Sequence, residues 1–476
     1  MNIRHSIAVA VAALLLSSVS ALAGVTLPSV ISDGMVLEQN TTVKLWGWAK
    51  PYERVTIKTS WDDKVYTVDP TPEARWSVDI ETPAGSKTPQ TIEFTGYNYV
   101  KVSDVLIGEV ILCSGQSNME FQPTWSMWDN YAPKDSLLAQ ATQEDIRMFR
   151  VDYRTATVPS HDVSGKWVHT TPDNARNFTV IGYVLACKLN KELGVPVGIV
   201  DSSWGGTPVE SWTDNTLYEA DEHLAAANMR LSEVTWGPVR PGLIYNAMIA
   251  PLTNFRFRAI AWYQGEQNCE NADAYCELLQ TLVNNWRSVF YKGKDIPFVF
   301  AQIAPYHYDE PGMAVVVRDQ QRIAAQKIDN SALVVIGNLG DVKDIHPRFK
   351  VEAGDRFANA MLTVAYGKSG FKYAAPLFKS ASLDSKGKTV IVNFDNAEGL
   401  HCAGKAKTAD WFELAGDDGV FHPAVGKIRK DGSVFVSSRN VAKPKSVRFA
   451  WADDAWPNLE NAAGIQASCF GAVSVR

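Results

Sequence analysis

Residues 108–120 read Gly108-Glu109-Val110-Ile111-Leu112-Cys113-Ser114-Gly115-Gln116-Ser117-Asn118-Met119-Glu120. A strand-length apolar run, 109–113, passes directly into a polar turn that carries a glycine and a serine. An apolar run without polar alternation predicts a strand buried on both faces, as in a parallel sheet covered by helices. Runs of the same kind recur at 146–151, 197–202, 259–263, 298–303 and 333–336. Segments of helical period lie among them at 182–193, 272–289, 315–328 and 351–366, the first closed by Gly194. Strands alternating with helices predict an α/β unit over residues 103–368. On either side the pattern becomes short and alternating, as in Thr42-Val43-Lys44-Leu45-Trp46 and Ser446-Val447-Arg448-Phe449. Alternation punctuated by Gly, Pro, Asp and Asn predicts β modules, read as sandwiches, over 24–102 and 369–476.

The chain has 476 residues, 46% hydrophobic and 21% charged, a composition that excludes a mostly unfolded protein. Its net charge of −6 argues against a general nucleic-acid binder, which needs clustered Lys and Arg. Residues 1–23 carry the marks of a signal peptide: Arg4, the apolar run 7–16, and Ala21-Leu22-Ala23 before Gly24. The apolar run is too short to span a bilayer, which needs about 20 residues. The expectation is an exported protein, periplasmic or secreted, with no membrane insertion. The six cysteines, Cys113, Cys187, Cys269, Cys276, Cys402 and Cys469, form no C-x-x-C, so a zinc cluster is not supported. Cys113 and Cys187 read as buried thiols. Cys269 and Cys276 are placed to bond only if Cys269 sits off the helix predicted from 272.

In an open parallel sheet, reactive groups gather beyond the carboxyl ends of the strands. Four such ends carry polar turns: 113–119, 202–207, 263–268 and 340–347. Together they supply the hydroxyl of Ser117, N–H groups beside Gly205 and Gly206, the amide of Gln264, and His346 with Asp344 and Asp341 close by. Those are the parts of an acyl-transfer site: nucleophile, oxyanion donors, base and orienting acid. Each has a plainer reading. Ser117 alone would serve as a helix N-cap, Gly205-Gly206 as a turn, and Gln264, Glu266 and His346 as loop residues. It is their joint occurrence at four strand ends that carries weight. Other chemistries lack their motifs: there is no G-x-S-x-G, H-E-x-x-H, G-x-x-x-x-G-K-[ST] or G-x-G-x-x-G.

Residues 108–120 resemble the signature of the sialate O-acetylesterase family, within the SGNH or GDSL-like hydrolase superfamily. The likeness continues through Ser203-Trp204-Gly205-Gly206-Thr207-Pro208, Trp262-Tyr263-Gln264-Gly265-Glu266 and Asp344-Ile345-His346-Pro347, and it extends to Asp33-Gly34-Met35-Val36-Leu37 and Val447-Arg448-Phe449-Ala450-Trp451. The resemblance implies an SGNH-like parallel sheet flanked by helices and a serine esterase that removes O-acetyl groups from sugars. It implies Ser117 as nucleophile, His346 as base, Asp344 as orienting acid, and the N–H groups of Ser117 and Gly206 as oxyanion donors. Gln264 would stand where the superfamily has an oxyanion-hole Asn. No metal or organic cofactor is implied. One departure bears on the acid: Lys343 stands three residues before the histidine, where the superfamily places it, so Asp344, Asp341 or Glu266 must serve.

The substrate expected is an acetylated carbohydrate, with acetylated xylan or xyloglucan as the alternative to sialate. A non-catalytic carbohydrate-binding protein is the reading from another class. A GDSL-type lipase or thioesterase would differ in its acyl pocket. Trp125, Trp128, Trp204, Trp212, Trp236 and Trp262 lie in or near the turns, where an indole suits a sugar ring, although most are expected to pack the core or a domain interface. A sialate carboxylate calls for an arginine, with Arg176, Arg240 and Arg318 as the candidates.

Overall fold

The computed structural model describes residues 24–129, 131, 133–291, 293–309 and 311–475; the signal-peptide reading of 1–23 lies outside them. Seven strands form the central sheet: β1 (Tyr99–Gly115), β2 (Ile146–Val151), β3 (Gly165–His169), β4 (Val197–Ser203), β5 (Ala259–Tyr263), β6 (Phe298–Gln302) and β7 (Ser331–Val335). Their order is β7-β6-β5-β1-β4-β2-β3, all parallel except the edge strand β3, which runs antiparallel to β2. The antiparallel edge is not apparent from the sequence pattern.

The four longest helices of this unit among the described residues are α1 (Val180–Leu193), α2 (Tyr275–Val289), α3 (Ala314–Lys327) and α4 (Lys350–Val364). α1 packs on α4 and α2 on α3, while α3 and α4 both meet β7. Every residue of β4, β5 and β6 is buried, which is why these strands read as unbroken apolar runs. α1 begins at Val180, two residues earlier than its pattern suggests, because the Thr179 hydroxyl caps it by accepting from the Gly182 N–H at 3.1 Å. It stops at Gly194, whose φ of +72° suits glycine.

β1 differs most from expectation. Expected over 109–113, it is a single strand of 17 residues that runs across the boundary placed after residue 102. Its first half pairs with Ser86–Thr95 and with Val36–Glu38; its second half is the centre of the parallel sheet. The N-terminal β region therefore shares one hydrophobic cluster with the α/β unit. The C-terminal region forms a separate seven-stranded antiparallel sheet with its own cluster, which includes Val392, Phe412, Phe449 and Phe470. All six cysteines are free thiols, Cys269 and Cys276 included, although Cys269 does lie off α2. Among the described residues no helix is long and apolar enough to cross a membrane.

Candidate active site

The register of the sheet brings three turns side by side. Gly115 at the end of β1 pairs with Ser203 of β4 on one side and Tyr263 of β5 on the other. Gly115 has φ +132°, and a Cβ there would stand 2.1 Å from the Tyr263 carbonyl oxygen, so only glycine fits. The chain then turns through Gln116, whose N–H donates to that same carbonyl at 2.9 Å, into a four-residue helix, Ser117–Glu120. Ser117 is the first helical residue and Gln116 the cap, so Ser117 is not the N-cap of the plainer reading. Its hydroxyl lies 2.9 Å from His346 Nε2.

His346 comes from the loop between β7 and α4. Burial and the charge of Lys350 push its imidazole down to about 4, against an opposing pull from Asp344. The ring is therefore neutral near pH 7, the form that can accept the serine proton. The indole of Trp125 meets the imidazole edge-on, at 5.9 Å between centroids. Asp344 Oδ1 accepts the backbone N–H of His346 at 2.8 Å. Among the described residues the hydrogen bond of the ring itself is to Ser117. Asp344 thus stands beside the histidine, acting on it through charge and through the shape of the loop. Asp341 Oδ1 accepts from the Lys343 N–H at 3.0 Å, and Glu266 Oε1 from Asn118 Nδ2 at 2.6 Å; neither reaches the imidazole.

Gly205 and Gly206 form the second wall. A Cβ on Gly205 would lie 3.2 Å from that of Ser117, so the turn passes right beside that serine. The Gly205 N–H donates to Glu120 Oε2 at 2.8 Å. The N–H groups of Gly206 and Ser117 have no acceptor among the described residues and stay free for an oxyanion. Gln264 departs from its expected role. It is fully buried, and its amide nitrogen donates to Asn268 Oδ1 at 2.7 Å and to Gln116 Oε1 and the Thr207 carbonyl at 3.2 Å. Its carbonyl accepts from the Tyr275 hydroxyl at 2.8 Å. Gln264 therefore ties the β5 turn to the neighbouring loops, and it does not line the cleft.

Ser117 and His346 lie in a cleft of about 590 Å³ walled by Trp125, Met127, Tyr153, Trp204 and Trp236. Tyr153 stacks flat on Trp204, with centroids 4.3 Å apart and an interplanar angle of 6°. Of the six tryptophans anticipated here, Trp125, Trp204 and Trp236 line the cleft, whereas Trp128, Trp212 and Trp262 are fully buried. The three arginines lie elsewhere: Arg240 pairs with Glu233, Arg176 with Asp173, and Arg318 is buried against the C-terminal region.

Sequence reasoning missed Glu120 and Tyr153. The buried Glu120 carboxylate accepts from Gly205, from Arg150 Nη2 at 3.1 Å and from the Tyr153 hydroxyl, so one side chain binds the Ser117–Glu120 helix to the glycine turn. Burial raises its pKa, while those three partners lower it. Glu120 sits inside the quoted motif; nothing local in the sequence marks Tyr153.

A family model described as carbohydrate esterase, sialic acid-specific acetylesterase, matches residues 107–363. The sialate O-acetylesterase of Rattus norvegicus is 27% identical over 434 residues, covering 78% of this chain and 79% of that protein. That of Mus musculus is 28% identical over 448 residues, covering 80% and 81%. The crystal structure of a carbohydrate acetylesterase from Xanthomonas citri superposes with a TM-score of 0.83 at 32% identity, covering 94% of this chain and 99% of that one. With the matched segment holding Ser117, Gly206 and His346, the chain belongs to the sialic acid-specific acetylesterase family of carbohydrate esterases.

Proposed function

We propose that this carbohydrate O-acetylesterase works through an acetyl-enzyme on Ser117. The hydroxyl oxygen attacks the acetyl carbonyl while its proton passes to His346 Nε2. The oxyanion is held by the Ser117 and Gly206 N–H groups. The C–O bond to the sugar breaks, and His346 returns the proton to the departing sugar hydroxyl. Water then repeats the sequence, releasing acetate and restoring Ser117. Asp344 favours the imidazolium that forms in each half. The observation that carries this reading is the 2.9 Å contact of Ser117 Oγ with a neutral imidazole at the floor of the cleft. The same contact disfavours a binding protein without turnover. The central parallel sheet with these residues at its strand ends supports an SGNH-like unit. The ring contact between Trp76 and Phe94, 5.7 Å across two N-terminal sheets, supports the sandwich reading of that region.

The substrate reading that the cleft favours is a neutral acetylated sugar, as in acetylated xylan or xyloglucan. No Lys or Arg lines the cleft among the described residues, so a sialate carboxylate would find no cationic side chain to pair with there. Acetate release from acetylated xylan, acetylated xyloglucan and O-acetyl sialic acid tests this, with Ser117→Ala as the blank. Faster release from the neutral polymers is expected; preference for the sialate would overturn it. Hydrolysis of p-nitrophenyl acetate in strong excess over the octanoate separates this esterase from a lipase. Export is proposed on the sequence of 1–23, and N-terminal sequencing of protein from the periplasm or medium should begin at Gly24.

A further inference from the structure

Lys350 is a buried lysine, its ammonium pushed down to about 7 by burial, that takes no part in the bond making and breaking described above. It is the first residue of α4, 1% exposed, and four positions beyond His346. Its ammonium donates to Asn118 Oδ1 at 2.8 Å and to the Pro347 carbonyl at 2.5 Å, and lies 4.6 Å from the centre of the Phe121 ring. Asn118 in turn donates to the Ile345 carbonyl at 3.0 Å and to Glu266 Oε1 at 2.6 Å. Asn118 follows Ser117; Ile345 and Pro347 flank His346. The neighbours of the nucleophile thus grip the neighbours of the base on both sides, through the buried side chains of Asn118 and Lys350. A buried ammonium is costly unless paired and hydrogen-bonded. The Asn118 and Pro347 oxygens are the partners that offset that cost here.

We propose that Lys350 is a positioning residue: with Asn118 it latches the His346 loop to the nucleophile helix, setting the distance between imidazole and serine, and it presents a positive charge to the imidazole. This rests on Ser117 and His346 being nucleophile and base. The charged groups acting on His346 are Lys350 and Asp344, with Glu266 and Asp344 acting on Lys350 in turn. A cation near the ring disfavours the imidazolium, so it extends the neutral, base-competent form to lower pH.

The test is the pH profile of kcat and kcat/KM for p-nitrophenyl acetate in Lys350→Met, Lys350→Arg and Asn118→Ala, with Ser117→Ala and His346→Ala alongside and circular dichroism to check folding. Lys350→Met is expected to lower kcat on the order of 10- to 100-fold, as displaced catalytic groups do. KM should change little, and the acid limb should move up by at least one pH unit. Lys350→Arg should return the limb toward the parent position. Asn118→Ala keeps the charge but breaks the joint, so kcat should fall with the limb in place. Parent-like kcat in Asn118→Ala overturns the latch, and decides it even where Lys350→Met does not fold. A folded Lys350→Met with an unmoved limb overturns the electrostatic part. Activity surviving in Ser117→Ala or His346→Ala refutes the underlying site instead, whatever the Lys350 variants do.

Discussion

At the scale of the residue, the environment of His346 sets the working pH. An exposed histidine would titrate near ~6.5, but burial and Lys350 take this one to about 4. The base is active when neutral, so kcat/KM should fall only as pH drops through about 4. The profile of p-nitrophenyl acetate hydrolysis between pH 3.5 and 8 checks it, and an acid limb near 6.5 would contradict the buried setting. Stability follows the same sign: between those two values the unfolded chain binds the extra proton, so stability rises with pH across that window. Ser117→Ala should remove nearly all activity, since loss of a triad nucleophile costs on the order of 10⁶-fold, and a fluorophosphonate should label Ser117 alone. Asp344 is the carboxylate that acts on His346, while Asp341 and Glu266 are bound elsewhere. Asp344→Asn should therefore be the most damaging of Asp344→Asn, Asp341→Asn and Glu266→Gln, with a loss on the order of 10²-fold or more in kcat. A greater loss in Glu266→Gln would move the acid to the β5 turn. Ser117 and His346 could be singled out only together, through the polar turns that recur at four strand ends and the motifs shared with the family. Lys350 and Tyr153 could not be, because their partners lie 232 and 33 residues away.

Among elements, the strand-to-turn passage at Gly115 carries the site. Gly115→Ala would place a methyl group against the Tyr263 carbonyl at a φ unsuited to alanine. The backbone strain alone costs about 1–3 kcal/mol, and relief requires β1 and β5 to part where Ser117 is anchored. Both a lower melting temperature and a sharp fall in kcat are expected; a variant with parent activity would show that the turn tolerates another path. Glu120→Gln should act differently. It keeps the size but removes the charge that Arg150 meets, so the Gly205 turn loosens and kcat falls while stability changes less. Six of the seven central strands and the four long helices were readable from their apolar periods, but the edge strand β3, the length of β1 and the start of α2 were not. Residues 266–274 are a 3₁₀ segment, non-helical at Asn268 and Asn271, because those two amides are bound to Gln264, Glu210 and Ala227. Periodicity reports which face is buried; it is silent on side chains that draw a backbone out of line.

Across the whole molecule, the C-terminal sheet is joined to the catalytic unit through polar groups that composition could not reveal. Asp453 is 5% exposed and caps α3 from outside: its carboxylate accepts from the Gly312 and Val315 N–H groups, each at 2.7 Å. The helix has no side-chain cap of its own, as Met313 holds that place. The Asp453 carbonyl also accepts from the Tyr306 N–H at 3.0 Å, and the next residue, His307, donates its N–H to the Val342 carbonyl of the histidine loop at 2.9 Å. The C-terminal region is thus one hydrogen-bonded step from the segment that carries His346, and Tyr308 between them lines the cleft. Asp453→Ala should cost about 1–2 kcal/mol through the lost cap. That corresponds to a fall in melting temperature of roughly 2–4 °C per kcal/mol at this scale of cooperative unit. Asp453→Asn keeps one carbonyl acceptor and should fall between the variant and the parent. If the cap is merely local, kcat will hold while stability drops. If the C-terminal sheet steadies the histidine loop, kcat on acetylated polymer and on p-nitrophenyl acetate will fall together in the order parent, Asp453→Asn, Asp453→Ala. The geometry favours this second outcome, because Asp453 holds the helix start with its side chain and Tyr306 with its carbonyl, and the neighbouring His307 in turn holds the histidine loop through Val342.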